Sequence, residues 1–493
     1  MNYKVLITTS GTGSRLGELT DFTNKSLIRI GDKPSISHIV EAYPAKTKFV
    51  VTLGHYGEHV KQFLEISYPD INFEFVNVDN YTGPGSSLLY SILQAKQALQ
   101  CPFIFNACDT VFDENSSLLE SFQDNFCIGS QVEDSTQYTT LMIKNGEIVK
   151  INQKGELRYD AAYVGVCGIK DYELFWQKLE KVYKKNQKNP SLFEGDVINE
   201  MIKSVKFQFI NTTRWFDVGN VGELEKTRKH FISCAEVLEK KEESIYFFED
   251  HVVKFFHDPS LVSNRISRAK KLNEIVPKIV DSKENFYKYE KIHGDLLSKV
   301  VTVESFCKLL QWAKQSLWKT NNTEKIENLC YTFYVEKTIK RINMFVDKYG
   351  DSEQTINDLV VPEATELLQK IDKEWLCKGV ASQFHGDFIL DNIIKTKTGF
   401  CLLDWRQDFA GSLDVGDIYY DLAKLNHNLT VNHEIVNKQL FNGSESNCYI
   451  LCNSILLECK IKLQEFIEEN GLDFKKVELL TSLIWINMSP LHA

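Results

Sequence analysis

The strand-like run at residues 4–9, with its apolar centre Val5-Leu6-Ile7, ends directly in Ser10-Gly11-Thr12-Gly13-Ser14-Arg15, and that junction constrains the chain more than any other feature. A short apolar run of this kind reads as a buried strand. Two glycines immediately after it let the backbone approach an anion, with loop N–H groups forming a cradle for phosphate oxygens. Alone, a Gly-x-Gly pair is more often an ordinary turn. The downstream pattern reverses that balance: strand-like runs at 49–53, 73–78 and 102–106 alternate with helical stretches at 58–66 and 86–99. Such alternation predicts a mostly parallel sheet covered on both faces, with ligands gathered at the carboxyl ends of its strands. The Gly11 loop and Asp109, which closes the run Phe103-Ile104-Phe105-Asn106-Ala107-Cys108-Asp109, both fall at such ends. Arg15 and Lys25 add cations, and a carboxylate at Asp109 is placed to hold Mg²⁺ on a nucleotide phosphate.

The chain is 493 residues long, and at about 100–200 residues per domain this allows two to four units. A net charge of -10 argues against nucleic acid as the main partner, since that binding needs basic patches, but leaves small anionic ligands open. The first seven residues read as a strand and lack the pattern of a signal peptide, and no stretch reaches the roughly 18 apolar residues of a membrane span. The expectation is a cytoplasmic protein without membrane insertion. Twelve cysteines are scattered without a Cys-x-x-Cys and read as reduced. Cys448, Cys452 and Cys459 recur at helical spacing and are expected on a buried helix face.

Further pieces give the first half a resemblance. Gly11-Thr12-Gly13-Ser14-Arg15-Leu16, Asn24-Lys25-Ser26-Leu27, Thr82-Gly83-Pro84-Gly85-Ser86-Ser87, Asp109, Glu194-Gly195-Asp196-Val197-Ile198 and Trp215-Phe216-Asp217-Val218-Gly219 follow one another in the order of the sugar and alcohol-phosphate nucleotidyltransferases, which the first 230 residues resemble. The resemblance implies that Gly11, Thr12, Gly13, Arg15 and Lys25 hold a nucleoside triphosphate, with CTP favoured. It also implies that Gly83, Gly85 and Ser86 lie by the base or ribose, and that Asp109 and Asp217 bind Mg²⁺. The acceptor's phosphate oxygen would attack the α-phosphorus and expel pyrophosphate. Where the family often has proline before the loop lysine, this chain has Asn24. On the residues alone, Asp217 equally suits the cap of a helix beginning near Gly222, and Glu194 and Asp196 suit either acceptor contact or capping. A glycosyltransferase on the same kind of sheet is disfavoured, because Thr110 and Val111 follow Asp109 where a second acidic residue is usual.

A mixed-charge run, Glu239-Lys240-Lys241-Glu242-Glu243, marks the join. Strand-like runs at 245–248 and 252–256 then predict a hairpin carrying Lys254, followed by a basic helix over 264–275 and a mostly helical region beyond residue 303. Near residue 385 stands Gln383-Phe384-His385-Gly386-Asp387-Phe388-Ile389-Leu390-Asp391-Asn392, with Asp404 at the end of the run Phe400-Cys401-Leu402-Leu403-Asp404-Trp405. A carboxylate and an amide five positions apart on one loop can orient a hydroxyl and hold Mg²⁺ in phosphoryl transfer.

With Gly416-Asp417 and Tyr420-Asp421-Leu422-Ala423, this constellation resembles the aminoglycoside phosphotransferase and choline kinase superfamily, related in fold to protein kinases. The resemblance implies Asp387 as catalytic base, Asn392 and Asp404 as Mg²⁺ ligands, Lys254 on the phosphates of ATP, His385 supporting the loop, and Asp417 and Asp421 bracing it. No glycine-rich loop precedes Lys254. A second His293-Gly294-Asp295 has Val300 five positions on and reads as a structural turn, and Glu274 suits either a partner for Lys254 or a solvated helix face.

The expected architecture is a Rossmann-like α/β nucleotidyltransferase domain with a mostly parallel sheet (1–230), a helical linker (231–243) and an α+β protein-kinase-like phosphotransferase domain (244–493). The expected function is bifunctional: ATP phosphorylates a small alcohol or sugar, and the product phosphate is coupled to a nucleotide for cell-surface polysaccharide or lipid head groups. The alternative is a monofunctional nucleotidyltransferase with a degenerate kinase-like binding or assembly domain. An aromatic content of 12% is enough to line a cage for a quaternary amine.

Overall fold

The computed structural model describes residues 3–112, 123–233, 240–320, 325–444 and 446–491. They divide into two packed units, Met1–Pro259 with Asp281–Lys288, and Ser260–Val280 with Tyr289–Ala493.

The first unit is built on a nine-stranded sheet in the order Asn72–Asn77, Lys48–Leu53, Lys4–Thr8, Phe103–Ala107, Ala161–Ile169, Asn125–Ser130, Phe207–Asn211, Glu147–Asn152 and Thr140–Lys144. The first four strands are parallel, as expected. Their registers align Thr8 with both Thr52 and Ala107, so the Gly11 loop and the Cys108-Asp109 turn leave the sheet on the same edge. Beyond them the sheet is mixed and no longer mostly parallel, although Phe207–Asn211, reached through two helices, is again parallel to Asn125–Ser130. Ala161–Ile169 runs antiparallel to both neighbours, and the hairpin Thr140–Lys144 with Glu147–Asn152 is antiparallel, because these strands succeed one another without crossover helices.

Apolar side chains fill both faces. Val5, Ile7, Phe49, Val51 and Ile104 pack with Phe63 and Leu64 on one side, and Leu6, Val50, Phe103 and Phe105 with Leu89, Phe175 and Trp176 on the other. The helix Leu88–Gln94 is capped by Ser87, whose hydroxyl accepts the Tyr90 N–H at 3.1 Å. The expected helix over 86–99 thus starts two residues later and tightens into a 3₁₀ turn over Ala95–Ala98.

The strands Glu243–Phe247 and His251–Phe256 form the expected hairpin, but its core lies in the first unit. Tyr246, Phe248, Val253, Phe255 and Phe286 join the cluster around Phe63, and the Tyr246 hydroxyl donates to the Leu27 carbonyl at 2.7 Å. Packing therefore carries the first unit past the division expected at residues 231–243. Of that expected helical linker, residues 234–239 lie outside the described residues. Helix Val221–His230 ends before it, and a strand begins at Glu243.

The second unit is mostly helical. Val303–Ser316, capped by Thr302, and Ser454–Glu469, capped by Asn453, bury Phe306, Leu309, Leu463 and Phe466, while Ile418–Asn428 packs its leucines with Phe474–Met488. A small antiparallel sheet of Asp295–Leu296, Ile393–Lys395 and Phe400–Leu402 carries the second constellation. Asp295 of the repeated His-Gly-Asp tripeptide is a strand residue there, paired with Lys395 rather than standing in a turn. Glu274 is exposed on a 3₁₀ turn.

The expected helix face at Cys448, Cys452 and Cys459 is not formed. Cys448 is exposed on strand Cys448–Ile450, Cys452 lies outside the helix, and only Cys459 is buried on it. The Asn453 side chain accepts the Ile455 N–H at 2.9 Å and starts the helix after the first two cysteines. The described cysteines are all free.

Candidate active sites

At the carboxyl edge of the first sheet, Gly13 takes a left-handed φ of 71° and starts the 3₁₀ segment Ser14–Thr20. A Cβ there would come within 2.9 Å of the Thr20 methyl and 3.0 Å of the Lys25 Cβ, so the loop needs glycine for both conformation and space. Nothing lies within 4 Å of the position a Gly11 Cβ would occupy. Asn24 has a structural role. Its amide donates to the carbonyls of Thr9 (2.8 Å) and His55 (2.6 Å), and its oxygen accepts from the Ser26 N–H and hydroxyl. This fully buried side chain ties two strand ends together and starts the turn Lys25–Leu27.

Lys25 Nζ lies 3.1 Å and an Arg15 guanidinium nitrogen 3.6 Å from Oδ2 of Asp109. Burial works against both charged forms, but the pairing wins: the Lys25 pKa is raised and that of Asp109 lowered, with Lys25 as the main counter-charge. Asp217 lies on strand Trp215–Asp217, paired with Thr110, and burial followed by the charge of Asp109 raises its pKa. It does not cap the next helix; Asn220 does, accepting the Glu223 N–H at 3.1 Å. A Cβ on Gly219 would stand 3.0 Å from Arg15, 3.0 Å from Asp217 Oδ1 and 3.2 Å from Asp109 Oδ2, so both carboxylates and the guanidinium converge on one point. Two converging carboxylates suit Mg²⁺, which is held by one or two carboxylates together with substrate phosphates and water. Among the described residues no group of three or more acidic, His or Cys side chains forms a cage for a metal.

The second glycine loop stands where it was expected, before helix Leu88–Gln94. Gly83 and Gly85 have φ of 81° and 87°, the Ser86 hydroxyl donates to the Gly83 carbonyl at 2.7 Å, and Asn80 donates to the Pro84 carbonyl.

Two further residues acquire their character only from the fold. Lys154, which carried no sequence signal, comes just after strand Glu147–Asn152; partial burial and then the charge of Arg15 lower its pKa, while Asp217 and Asp109 oppose them. Glu194, only 2% exposed, has an Oε2 without a hydrogen-bond partner, and burial pushes its pKa up to about 7. Asp196 is the capping residue of the pair, its carboxylate accepting the Phe193 N–H at 3.1 Å.

In the second unit Asp387, Asn392 and Asp404 stand at one end of the small sheet. Asn392 donates from Nδ2 to Asp387 Oδ2 and to the Asp387 carbonyl, each at 3.0 Å, while Lys424 Nζ lies 2.7 Å from Asp387 Oδ1. Burial raises the Asp387 pKa, but Lys424 outweighs it and holds the carboxyl below its usual value. Asp404 has a left-handed φ of 58°, costly for a residue with a side chain, and is paired with Arg265 at 2.9 Å. Burial pushes the His385 pKa down to about 4. The neutral ring donates from Nε2 to the Leu403 carbonyl at 2.8 Å and accepts the Asp387 N–H at Nδ1, tying the loop to the Asp404 strand.

Asp421 accepts the N–H groups of His385 (2.7 Å) and Gly386 (2.6 Å), and Asp417 accepts the Val380 N–H and the Tyr334 hydroxyl, each at 2.8 Å. Both are structural braces, in line with the sequence reading. Arg268, with its guanidinium 3.7 Å from the Phe384 ring centroid, donates to the carbonyls of Phe384 and Arg406. Lys254 is buried on strand His251–Phe256 and belongs to the first packed unit. Lys424, Arg265 and Arg268 were not legible beforehand, since each lies on a helix remote in sequence from the loop it serves.

No family model matches this chain. It is similar to Bifunctional protein GlmU of Aliarcobacter butzleri (strain RM4018), 23% identical over 281 residues, or 53% of this chain; the match spans 62% of the length of that relative. Among solved structures, CTP:phosphocholine cytidylyltransferase from Streptococcus pneumoniae (LicC) aligns with 47% of this chain and 99% of its own at 19% identity, with a TM-score of 0.41. The inositol-1-phosphate CTP transferase from T. maritima aligns with 48% of this chain and 99% of its own at 15% identity, with a TM-score of 0.38. No described helix is long and apolar enough to cross a membrane.

Proposed function

We propose that the first unit transfers a nucleotidyl group from a nucleoside triphosphate to a phosphate monoester, and that the second makes that monoester from ATP and a small alcohol or sugar. The observation that carries the first step is the convergence of Arg15, Asp109 and Asp217 at Gly219, with Lys25 on Asp109, above the Gly11–Gly13 loop. The loop N–H groups and the two cations bind and orient the triphosphate. An oxygen of the acceptor phosphate attacks the α-phosphorus, the bond from that phosphorus to its β-bridging oxygen breaks, and pyrophosphate leaves with the electron pair. Arg15 and Lys25 counter the charge that grows on the leaving group. Asp109 and Asp217 would hold Mg²⁺, which supplies further neutralisation of phosphate charge when bound.

The second step rests on Asp387. Its carboxylate orients the acceptor hydroxyl and takes its proton as the oxygen attacks the γ-phosphorus and ADP departs. Asn392 and Asp404 would hold the metal. Head-group activation for cell-surface polymers or lipids is the role that fits two such steps in one chain.

The test is pyrophosphate release with each of CTP, UTP, GTP, ATP and dTTP, given alcohols and sugars plus ATP, or their phosphates without ATP. Release from an unphosphorylated alcohol only when ATP is present supports both steps, and Asp387→Asn should abolish that release while leaving preformed phosphates reactive. Reaction of preformed phosphates alone refutes the kinase step and leaves the monofunctional reading.

A further inference from the structure

The second unit holds a group of cations that the phosphoryl-transfer reading does not use. Lys337 Nζ lies 4.4 Å from the centroid of the Phe333 ring, and the Arg406 guanidinium carbon lies 4.9 Å from the same centroid. Arg341, one turn beyond Lys337, continues that helical stripe. Among the described residues none of these three has a carboxylate within ion-pair distance; Arg341 contacts the Met344 sulfur and Arg406 donates to the Asp408 carbonyl. Phe333 itself is buried against Phe409 and Tyr420.

The helix is not regular here. A π-helical segment, Tyr331–Glu336, immediately precedes Lys337 and changes the facing of the residues after it. Such segments are frequent at functional sites. Burial, then Arg406, Arg341 and Lys424, push the Lys337 pKa down to about 7, and the charge of Asp408 offsets them only in part. Holding like charges together costs Coulomb energy that a bound anion recovers.

The cluster adjoins the reacting carboxylate. Arg406 donates its N–H to the His385 carbonyl at 2.9 Å, and a Cβ on Gly386 would come 2.5 Å from the Arg406 Cβ. Lys424 links the group to Asp387 through Oδ1, whereas Asn392 occupies Oδ2. Lys424 therefore stands on the oxygen of Asp387 that Asn392 leaves open, and its charge is coupled to those of Lys337 and Arg406.

Building on the kinase reading, we infer that the alcohol taken by the second unit carries a carboxylate or phosphate that binds Lys337, Arg341 and Arg406, and is not a quaternary amine. The aromatic floor serves the cations and does not form a cage for a ligand cation.

The test uses the full chain and two readouts. Calorimetric titration with glycerate, glycerol 3-phosphate, glycerol and choline measures binding without turnover, and ADP release from ATP with the same compounds measures transfer. Glycerate or glycerol 3-phosphate is expected to bind at least about tenfold more tightly than glycerol, with choline weakest, and the better anion distinguishes a carboxylate from a phosphate. Arg341→Gln and Lys337→Gln should remove the preference and leave the KM for ATP unchanged, while Arg341→Lys keeps it. Preference for glycerol or choline, no difference among the compounds, or a rise in the KM for ATP matching that for the acceptor would overturn the inference. Charge-selective binding that Arg341→Gln and Lys337→Gln abolish, without ADP release, upholds the anion site and ends the kinase reading; charge-selective binding that both variants keep belongs to the phosphate site of the first unit and overturns the inference, as does ADP release without charge selectivity.

Discussion

Lys25 and Asp109, 84 positions apart in sequence, meet at 3.1 Å across the carboxyl edge of two adjacent parallel strands. The lysine leaves the loop after strand Lys4–Thr8 and the aspartate leaves the turn after Phe103–Ala107, so the strand register together with the Asn24 anchor brings them face to face. The pair holds a cation and an anion ready where a triphosphate and its metal would bind.

Replacing Lys25 with alanine should lower pyrophosphate release by about 10²–10³-fold, the usual cost of removing a charge-stabilising donor. Asp109→Asn should produce a comparable loss together with a higher requirement for Mg²⁺. Steady-state rates over a Mg²⁺ series distinguish the two; an alanine variant retaining the wild-type rate would remove Lys25 from the mechanism.

Gly219→Ala should impair the same reaction with little loss of stability. The added methyl would stand about 3 Å from Arg15, Asp217 and Asp109, displacing the groups that must converge. Misplacement on this scale costs roughly 10²-fold in rate. The unfolding midpoint should stay near wild type while pyrophosphate release falls, and an unchanged rate contradicts the convergence.

Asn24 is a stability prediction. Its loss in Asn24→Ala strands the carbonyls of Thr9 and His55 and frees the Ser26 donors. A destabilisation of about 2–3 kcal/mol is expected from leaving such groups unpaired. Urea unfolding should show a lower midpoint at unchanged slope; a shift under about 0.5 kcal/mol would mean the amide is dispensable.

Glu194 gives a pH dependence. Its folded-state pKa is raised from 4.5 to about 7, so between these values the folded protein keeps a proton that the unfolded chain has released. Its contribution to stability therefore falls as pH rises from about 4.5 to about 7 and is constant above, by at most about 3 kcal/mol. Glu194→Gln should abolish that part of the slope and be the more stable form at pH 8. Parallel slopes for wild type and variant over pH 5–7 would place the proton elsewhere.

Much that could be read beforehand was local. The Gly11–Gly13 loop, the Asp387–Asn392 interval and the hairpin near Lys254 each lie within a few residues, where strand periodicity and turn chemistry act directly. The misreading at Cys448 and Cys452 has an equally local cause, since both share helical spacing with a helix that starts only after Asn453, and the capping alternative for Asp217 is taken by Asn220. Lys154, Lys424, Arg265 and the deep burial of Glu194 went unread because each depends on neighbours far along the chain.

By itself the sequence determined which short segments could turn around a phosphate, which carboxylates ended strands, and where donor and acceptor groups recurred at spacings suited to phosphoryl chemistry. Those properties depend on backbone sterics and on side-chain order within one turn. Only the tertiary structure decided that the hairpin after residue 243 joins the first core, that Lys25 neutralises Asp109, and that Lys337, Arg341 and Arg406 gather near Asp387 without an ion pair of their own among the described residues. Burial and Coulomb energies depend on distances through space, and those distances are set only when remote segments pack.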